Sequence, residues 1–147
     1  NALLPVLQVQ EQAEIVNVGS ILGSIGYAGS TIYCATKFGL RGFTEALRRE
    51  LADSRIRVVY FAPRATDTEM NTTQTVEMNK SLGVAMDPPK RVAKELMELL
   101  CSAKTKNYYM GWPEKFFVRF NGLFPSVVDK ALLKQLATIR HFSHHSN

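Results

Sequence analysis

Long apolar runs are missing from this chain. Nowhere do about 18 uninterrupted apolar residues occur, so no membrane-spanning helix is indicated. No secretory signal opens it. Cysteine is scarce. Cys34 and Cys101 have no metal-ligand spacing, and both are read as buried thiols of a reducing compartment rather than as a disulfide. Charge of one sign is not concentrated either. The net charge is +5, yet the basic residues are scattered and no aromatic–basic pattern of an RNA-binding sheet occurs. A nucleic-acid partner is therefore not expected. His141, His144 and His145 crowd the C-terminus without a carboxylate or cysteine beside them, so no metal site is assigned. An initiator methionine is also absent, and Asn1 to Leu7 starts inside an apolar helical pattern. The sequence is expected to be part of a longer polypeptide.

What is present is a core. Apolar residues make up 46% of 147 positions, enough for one globular domain. The chain is organised around Ser20 to Lys37. Ile15-Val16-Asn17-Val18 reads as a parallel strand buried on both faces, and Ser20 lies just past it. Gly23, Gly26 and Gly29 then shape a tight connection. A long helix follows over 31–52, carrying Tyr33 and Lys37 one turn apart on a shared face. A free tyrosine, with a pKa near ~10, is a poor base at neutral pH, and a neighbouring cation favours its phenolate. A serine hydroxyl aimed at the same substrate oxygen would complete a site that handles a proton at a carbonyl or alcohol.

These residues, in this register, resemble the active-site segment of the short-chain dehydrogenase/reductase family. The matching set is Val16 to Ser20, Gly23, Gly26, Tyr33 to Lys37, Gly39, Leu40, Phe43, Leu47, Glu50, Leu51, Ile56 to Val58, Ala62 and Pro63. The resemblance implies an α/β fold. It would be the C-terminal half of a Rossmann-like, doubly wound parallel sheet over 1–111, followed by an amphipathic helical extension over 112–147. It implies an NAD(P)-dependent oxidoreductase with Ser20, Tyr33 and Lys37 as catalytic residues. The cofactor contacts implied are Tyr33, Lys37, Pro63, Arg64, Thr66 and Thr68, with NADP slightly favoured over NAD. The family's glycine-rich phosphate turn would lie upstream. This segment alone is therefore expected to fold poorly and to be nearly inactive, with Ile15–Val18 left as an unpaired sheet edge.

The rest of the chain fits around that frame. Residues 2–10 read as the end of a helix and 11–14 as a polar turn. Ile56 to Phe61 is a second buried strand. The family has glycine after the proline that Pro63 matches, so Arg64 departs from the pattern; its side chain is read as solvated. Residues 69–86 lack periodicity and read as a loop, by resemblance the substrate lid. Asp87 reads as the N-cap of a helix running to about Ala103, and Tyr108 to Met110 as a short closing strand. On the 31–52 helix, Arg41, Glu45, Arg48 and Arg49 read as the solvated face. Gly39 and Phe43 are expected near a homo-oligomer contact. Phe116, Phe120, Leu123 and Phe124, then Val128, Leu132, Leu136 and Ile139, give the tail two apolar faces among basic residues. Packing over the pocket mouth and peripheral membrane contact both stay open for it. The substrate expected is an apolar carbonyl or alcohol, acyl or steroid-like, handled in the cytoplasm or at a membrane surface. A non-catalytic alternative also stays open: a truncated member serving as a membrane-surface or subunit-association module.

Overall fold

The structure is a computed structural model that describes residues 3–102, 104 and 107–143. A short helix α1 (Leu4–Gln8) leads into β1 (Ala13–Val18), and a 3-10 turn (Ile21–Gly23) into α2 (Thr31–Glu50). Then come β2 (Ile56–Ala62), α3 (Thr73–Ser81), α4 (Pro89–Cys101) and β3 (Asn107–Tyr109). The tail forms α5 (Glu114–Leu123), α6 (Pro125–Leu133) and α7 (Leu136–Ser143). The three strands make a parallel sheet in the order β1-β2-β3. Ala13 to Val18 lie opposite Ile56 to Phe61, and Tyr60 to Ala62 opposite Asn107 to Tyr109.

Central position explains why β2 is the most apolar strand. Val58 to Ala62 are almost completely buried. Alternate residues face opposite sides. Ile56 and Val58 pack with Ala13, Leu47 and Leu51 on the α2 side. Val59 and Phe61 pack with Leu96, Leu99 and Met110 on the α4 side. This is a partial Rossmann-like sheet covered on both faces and followed by a helical tail.

Several expectations change in the structure. β1 is an edge strand, as expected of this segment, but it is not buried on both faces: Ile15, Val16 and Asn17 are only partly buried and Val18 is half exposed. Nor is 69–86 only a loop. The Thr72 hydroxyl accepts from the Thr75 N–H and starts α3, which packs on α7. That tertiary contact, rather than amphipathic periodicity, holds it. Asp87 caps no helix; α4 starts after Pro88, and the Asp87 carboxylate turns to Arg64. Cys34 is buried as expected, but Cys101 is exposed. Ala103, His144 and His145 lie outside the described residues.

Helix α2 is reversed from a simple amphipathic reading. Ile32, Ala35, Phe38, Gly39, Phe43 and Ala46 are exposed. Leu47 packs on the sheet as an apolar residue, but polar side chains share that side. Arg48 donates to the Val58 carbonyl at 2.9 Å and to Asn107 Oδ1 at 2.8 Å, while Glu45 accepts from Asn107. Arg41 donates to Ser24 Oγ at 2.7 Å. Only Arg49, of the four residues read as solvated, is exposed; Arg41, Glu45 and Arg48 are partly buried.

Candidate active site

Parallel pairing brings the C-terminal ends of β1 and β2 together, the place where open α/β sheets bind ligands. Ser20 sits there in extended backbone, as the cap of the 3-10 turn. Its Oγ accepts the Leu22 N–H at 3.1 Å. That bond occupies an oxygen lone pair and leaves the hydroxyl hydrogen for another acceptor. The next residue is tied across to β2, since the Ile21 N–H donates to the Pro63 carbonyl at 3.2 Å. Pro63 thus lies directly beside the Ser20 turn.

Tyr33 and Lys37 stand on the first turns of α2. Tyr33 is 46% exposed, so its phenol is open to a ligand. The Lys37 ammonium lies 5.6 Å from the centre of the Tyr33 ring. It also donates to the Val18 carbonyl at 3.2 Å. This bond ties the helix bearing Tyr33 to the strand end bearing Ser20. One ammonium proton is used there, and an ammonium has three donors. Gly23 brings the same elements together from the other side. A Cβ added to it would fall 2.7 Å from the Lys37 carbonyl oxygen.

Of the residues after β2, Thr66 forms a parallel bridge with Asp87. Its hydroxyl donates to the Arg64 carbonyl at 3.2 Å, and its carbonyl accepts from Asn71 Nδ2 at 2.7 Å. Thr68 is exposed and lines an open cleft of ≈ 710 Å³ with Asp67, Glu69, Met70 and Pro89. Arg64 is not solvated. Its guanidinium forms a two-pronged pair with Asp87, at 2.6 and 2.8 Å, and reaches Glu114 at 3.4 Å. Arg91 adds a third bond to Asp87 at 3.0 Å. The hydrogen bonds from Arg64 hold the Asp87 carboxyl below the usual carboxylate range, against the opposing effect of burial.

The tail walls this region. Val118 and Val128 pack on Ile21 and Ile25 of the Ser20 turn. Asn121 Nδ2 donates to the Ser24 carbonyl at 3.0 Å, and the Tyr27 hydroxyl to Gln135 Oε1 at 3.0 Å. Between them a groove of ≈ 240 Å³ is lined by Gly26, Ala28, Asp129, Leu132, Leu133 and Leu136. Trp112, Phe116, Phe120 and Phe124 form a continuous aromatic strip, with successive ring centres 6.5, 5.7 and 5.1 Å apart; Phe120 packs on the core beneath it and the other three are exposed. No described helix is long and apolar enough to cross a membrane.

Three residues at the site escaped sequence reasoning. Tyr60, Ser24 and Arg41 all brace the Ser20 turn. The one legible signal was Tyr60 itself, a phenol within an otherwise apolar strand, because a buried hydroxyl needs a partner.

The profile of the short chain dehydrogenase family matches residues 1–79. The chain belongs to that family. It is 41% identical over 73 residues to an NADP-dependent 3-hydroxy acid dehydrogenase of Schizosaccharomyces pombe, covering 50% of this chain and 28% of that protein. It is 33% identical over 134 residues to hydroxysteroid 11-beta-dehydrogenase 1-like protein A of Xenopus laevis, covering 90% of this chain and 45% of that protein. Among solved structures, a short chain dehydrogenase from Burkholderia cenocepacia in complex with NADP superposes with a TM-score of 0.68 at 25% identity, over 88% of this chain and 50% of that one. The chain therefore spans less than half the length of these curated relatives.

Proposed function

We propose that this chain is the catalytic, C-terminal portion of an NAD(P)-dependent oxidoreductase that interconverts a carbonyl and an alcohol. The observation that carries this reading is the meeting of Ser20, Tyr33 and Lys37 at one end of the sheet, on elements locked together through Val18 and Gly23. In the reductive direction, the Ser20 hydroxyl donates to the substrate carbonyl oxygen. Tyr33 delivers a proton to that oxygen as negative charge builds on it, and Lys37 stabilises the charge left on the phenolic oxygen. The oxidative direction runs through the same groups in reverse.

The site's donors fit a nicotinamide cofactor. Lys37 spends one N–H on Val18, and the Thr68 hydroxyl lines the cleft at the strand ends. Tyr33, Lys37, Pro63, Thr66, Thr68 and the backbone of Arg64 would hold it. When bound, it supplies or accepts the hydride. NADP is favoured, in keeping with the relatives named for it. The chain would divide into a catalytic part over 1–111 and an extension over 112–147 that walls the substrate site.

The substrate proposed is apolar, acyl or steroid-like. The groove walled by Leu132, Leu133 and Leu136 supports it. With the native polypeptide that carries this segment, NADPH consumption should rise in kcat/KM from short polar aldehydes to medium-chain 3-oxoacyl thioesters or ketosteroids. Preference for the short polar carbonyls would overturn the substrate assignment.

Two partners follow from exposed surfaces. The apolar stripe Ile32, Ala35, Gly39, Phe43 and Ala46 on α2 supports a homo-oligomer through that helix, checked by equilibrium sedimentation of the native enzyme. The exposed rings Trp112, Phe116 and Phe124, with exposed Arg119, Lys130 and Lys134 on the same helical tail, support contact with an anionic membrane surface. Failure to co-sediment with phosphatidylserine vesicles would remove that second partner.

A further inference from the structure

Tyr60 is fully buried at the C-terminal end of β2, in register with Asn17 of β1. Its hydroxyl accepts the Ser20 N–H at 3.3 Å and donates to the Ser20 carbonyl at 3.1 Å. Both backbone polar groups of one residue are thus held by one phenol. The surrounding chain makes room for it. A Cβ on Gly19 would lie 2.2 Å from the Tyr60 ring, and a Cβ on Gly23 would lie 2.3 Å from its oxygen. Any side chain at either glycine would collide with the phenol. The ring is braced in turn by Tyr109, edge-on at 6.2 Å. The Tyr109 hydroxyl meets Ser24 Oγ at 2.9 Å, and Ser24 Oγ takes the Arg41 bond. Burial raises the Tyr60 phenol above its ordinary value, so it remains a neutral donor at working pH.

We infer that Tyr60 is a positioning residue for the oxidoreductase reaction: by gripping the Ser20 backbone at both its N–H and its carbonyl, it aims the Ser20 hydroxyl at the substrate oxygen. The Ser20 carbonyl also accepts the Gly23 N–H of the 3-10 turn at 3.0 Å, so the phenol adds a second bond there and is the partner of the Ser20 N–H. Ser20 has one side-chain bond, to Leu22, and rotates with its backbone. Fixing both backbone groups removes the freedom that would blur the hydroxyl's direction. The inference rests on the proposed role of Ser20, and the test separates the two.

The test is a mutant cycle in the native polypeptide. Tyr60→Phe keeps the ring and removes the grip. Its kcat should fall by about 10- to 100-fold, as expected of a misplaced reacting group, with the KM for NADPH unchanged. In a Ser20→Ala background, the same substitution should cost nothing further. Replacing Tyr60 with p-aminophenylalanine restores an N–H donor on the same ring and should recover most of the turnover. It also provides a folded variant should Tyr60→Phe not fold. Equal losses from Tyr60→Phe in the wild-type and Ser20→Ala backgrounds would overturn the inference, as would wild-type turnover in Tyr60→Phe beside an impaired Ser20→Ala. Full activity in Ser20→Ala would overturn the proposed role of Ser20 itself, and the inference with it.

Discussion

Tyr33→Phe, made in the native polypeptide that carries this segment, is expected to lose turnover by about 100- to 10,000-fold, the usual contribution of a placed acid–base group. Cofactor binding should survive, because Lys37 does not depend on the phenol for its place. Its ammonium is held by the Val18 carbonyl at 3.2 Å. The half-exposed Tyr33 makes no core contact whose loss would unfold the helix. The loss should therefore fall mainly on kcat, while NADPH titrated by fluorescence still binds through Lys37 and the residues after β2, weakened at most by the one contact the phenol makes. Turnover near the wild-type level would remove Tyr33 from the chemistry. A parallel loss of NADPH binding would instead show that the substitution disturbs the cofactor site.

Asp87→Ala is expected to produce the largest loss of stability. Asp87 accepts three charge-assisted hydrogen bonds from Arg64 and Arg91, and its side chain is 2% exposed. The Arg64 side chain is 12% exposed. Removing the carboxylate strands that guanidinium, with only the longer 3.4 Å contact to Glu114 remaining. Breaking a buried pair from one side costs about 3–5 kcal/mol, most of it the cost of the charge left behind. Asp87→Asn isolates the charge and adds a pH signature. The folded carboxyl is depressed, first by its bonds to Arg64. Its stabilising contribution is thus complete above the unfolded value near ~3.9, and is lost as pH falls through the folded value. The stability difference between wild type and Asp87→Asn should be flat from about pH 5 to 8 and shrink below about pH 4. Denaturant melts across that range check it. A difference independent of pH would mean that the pair contributes no electrostatic stabilisation.

The parallel sheet was legible because β1 and β2 are apolar runs and their C-terminal ends carry recognisable residues; the order of its strands was not. The placement of Ser20 just past β1, and of Tyr33 and Lys37 one turn apart on α2, was legible because strand end and helix turn are local features. What escaped was set by distance in the chain. Arg64 looked like a departure from the family's glycine, and nothing near it in sequence shows that Asp87 and Glu114 wait for it across the fold. Asp87 had the chemistry of a helix cap, but a buried guanidinium competes for a carboxylate more strongly than a backbone N–H. On α2, composition alone could not tell which stripe meets the sheet. Arg48 carries hydrogen bonds to β2 and β3 and Arg41 to the turn after Ser20, and Gly39, Gly42 and Phe43 are left exposed. Gly39 and Gly42 have open space where a Cβ would stand, so no contact among the described residues requires a glycine at either position. Helix α3 was invisible because its partner α7 lies about 60 residues away and its own pattern is weakly apolar.

The most direct measurement is isotope transfer in the native polypeptide. NADPH deuterated at C4 of the nicotinamide would be incubated with an apolar ketone, and the product analysed by mass spectrometry. The account predicts an alcohol with deuterium on the former carbonyl carbon, formed by the wild type and nearly absent with Tyr33→Phe. An enzyme that binds NADPH yet yields no deuterated alcohol from any acyl or steroid ketone would contradict it. So would equal labelling by wild type and Tyr33→Phe.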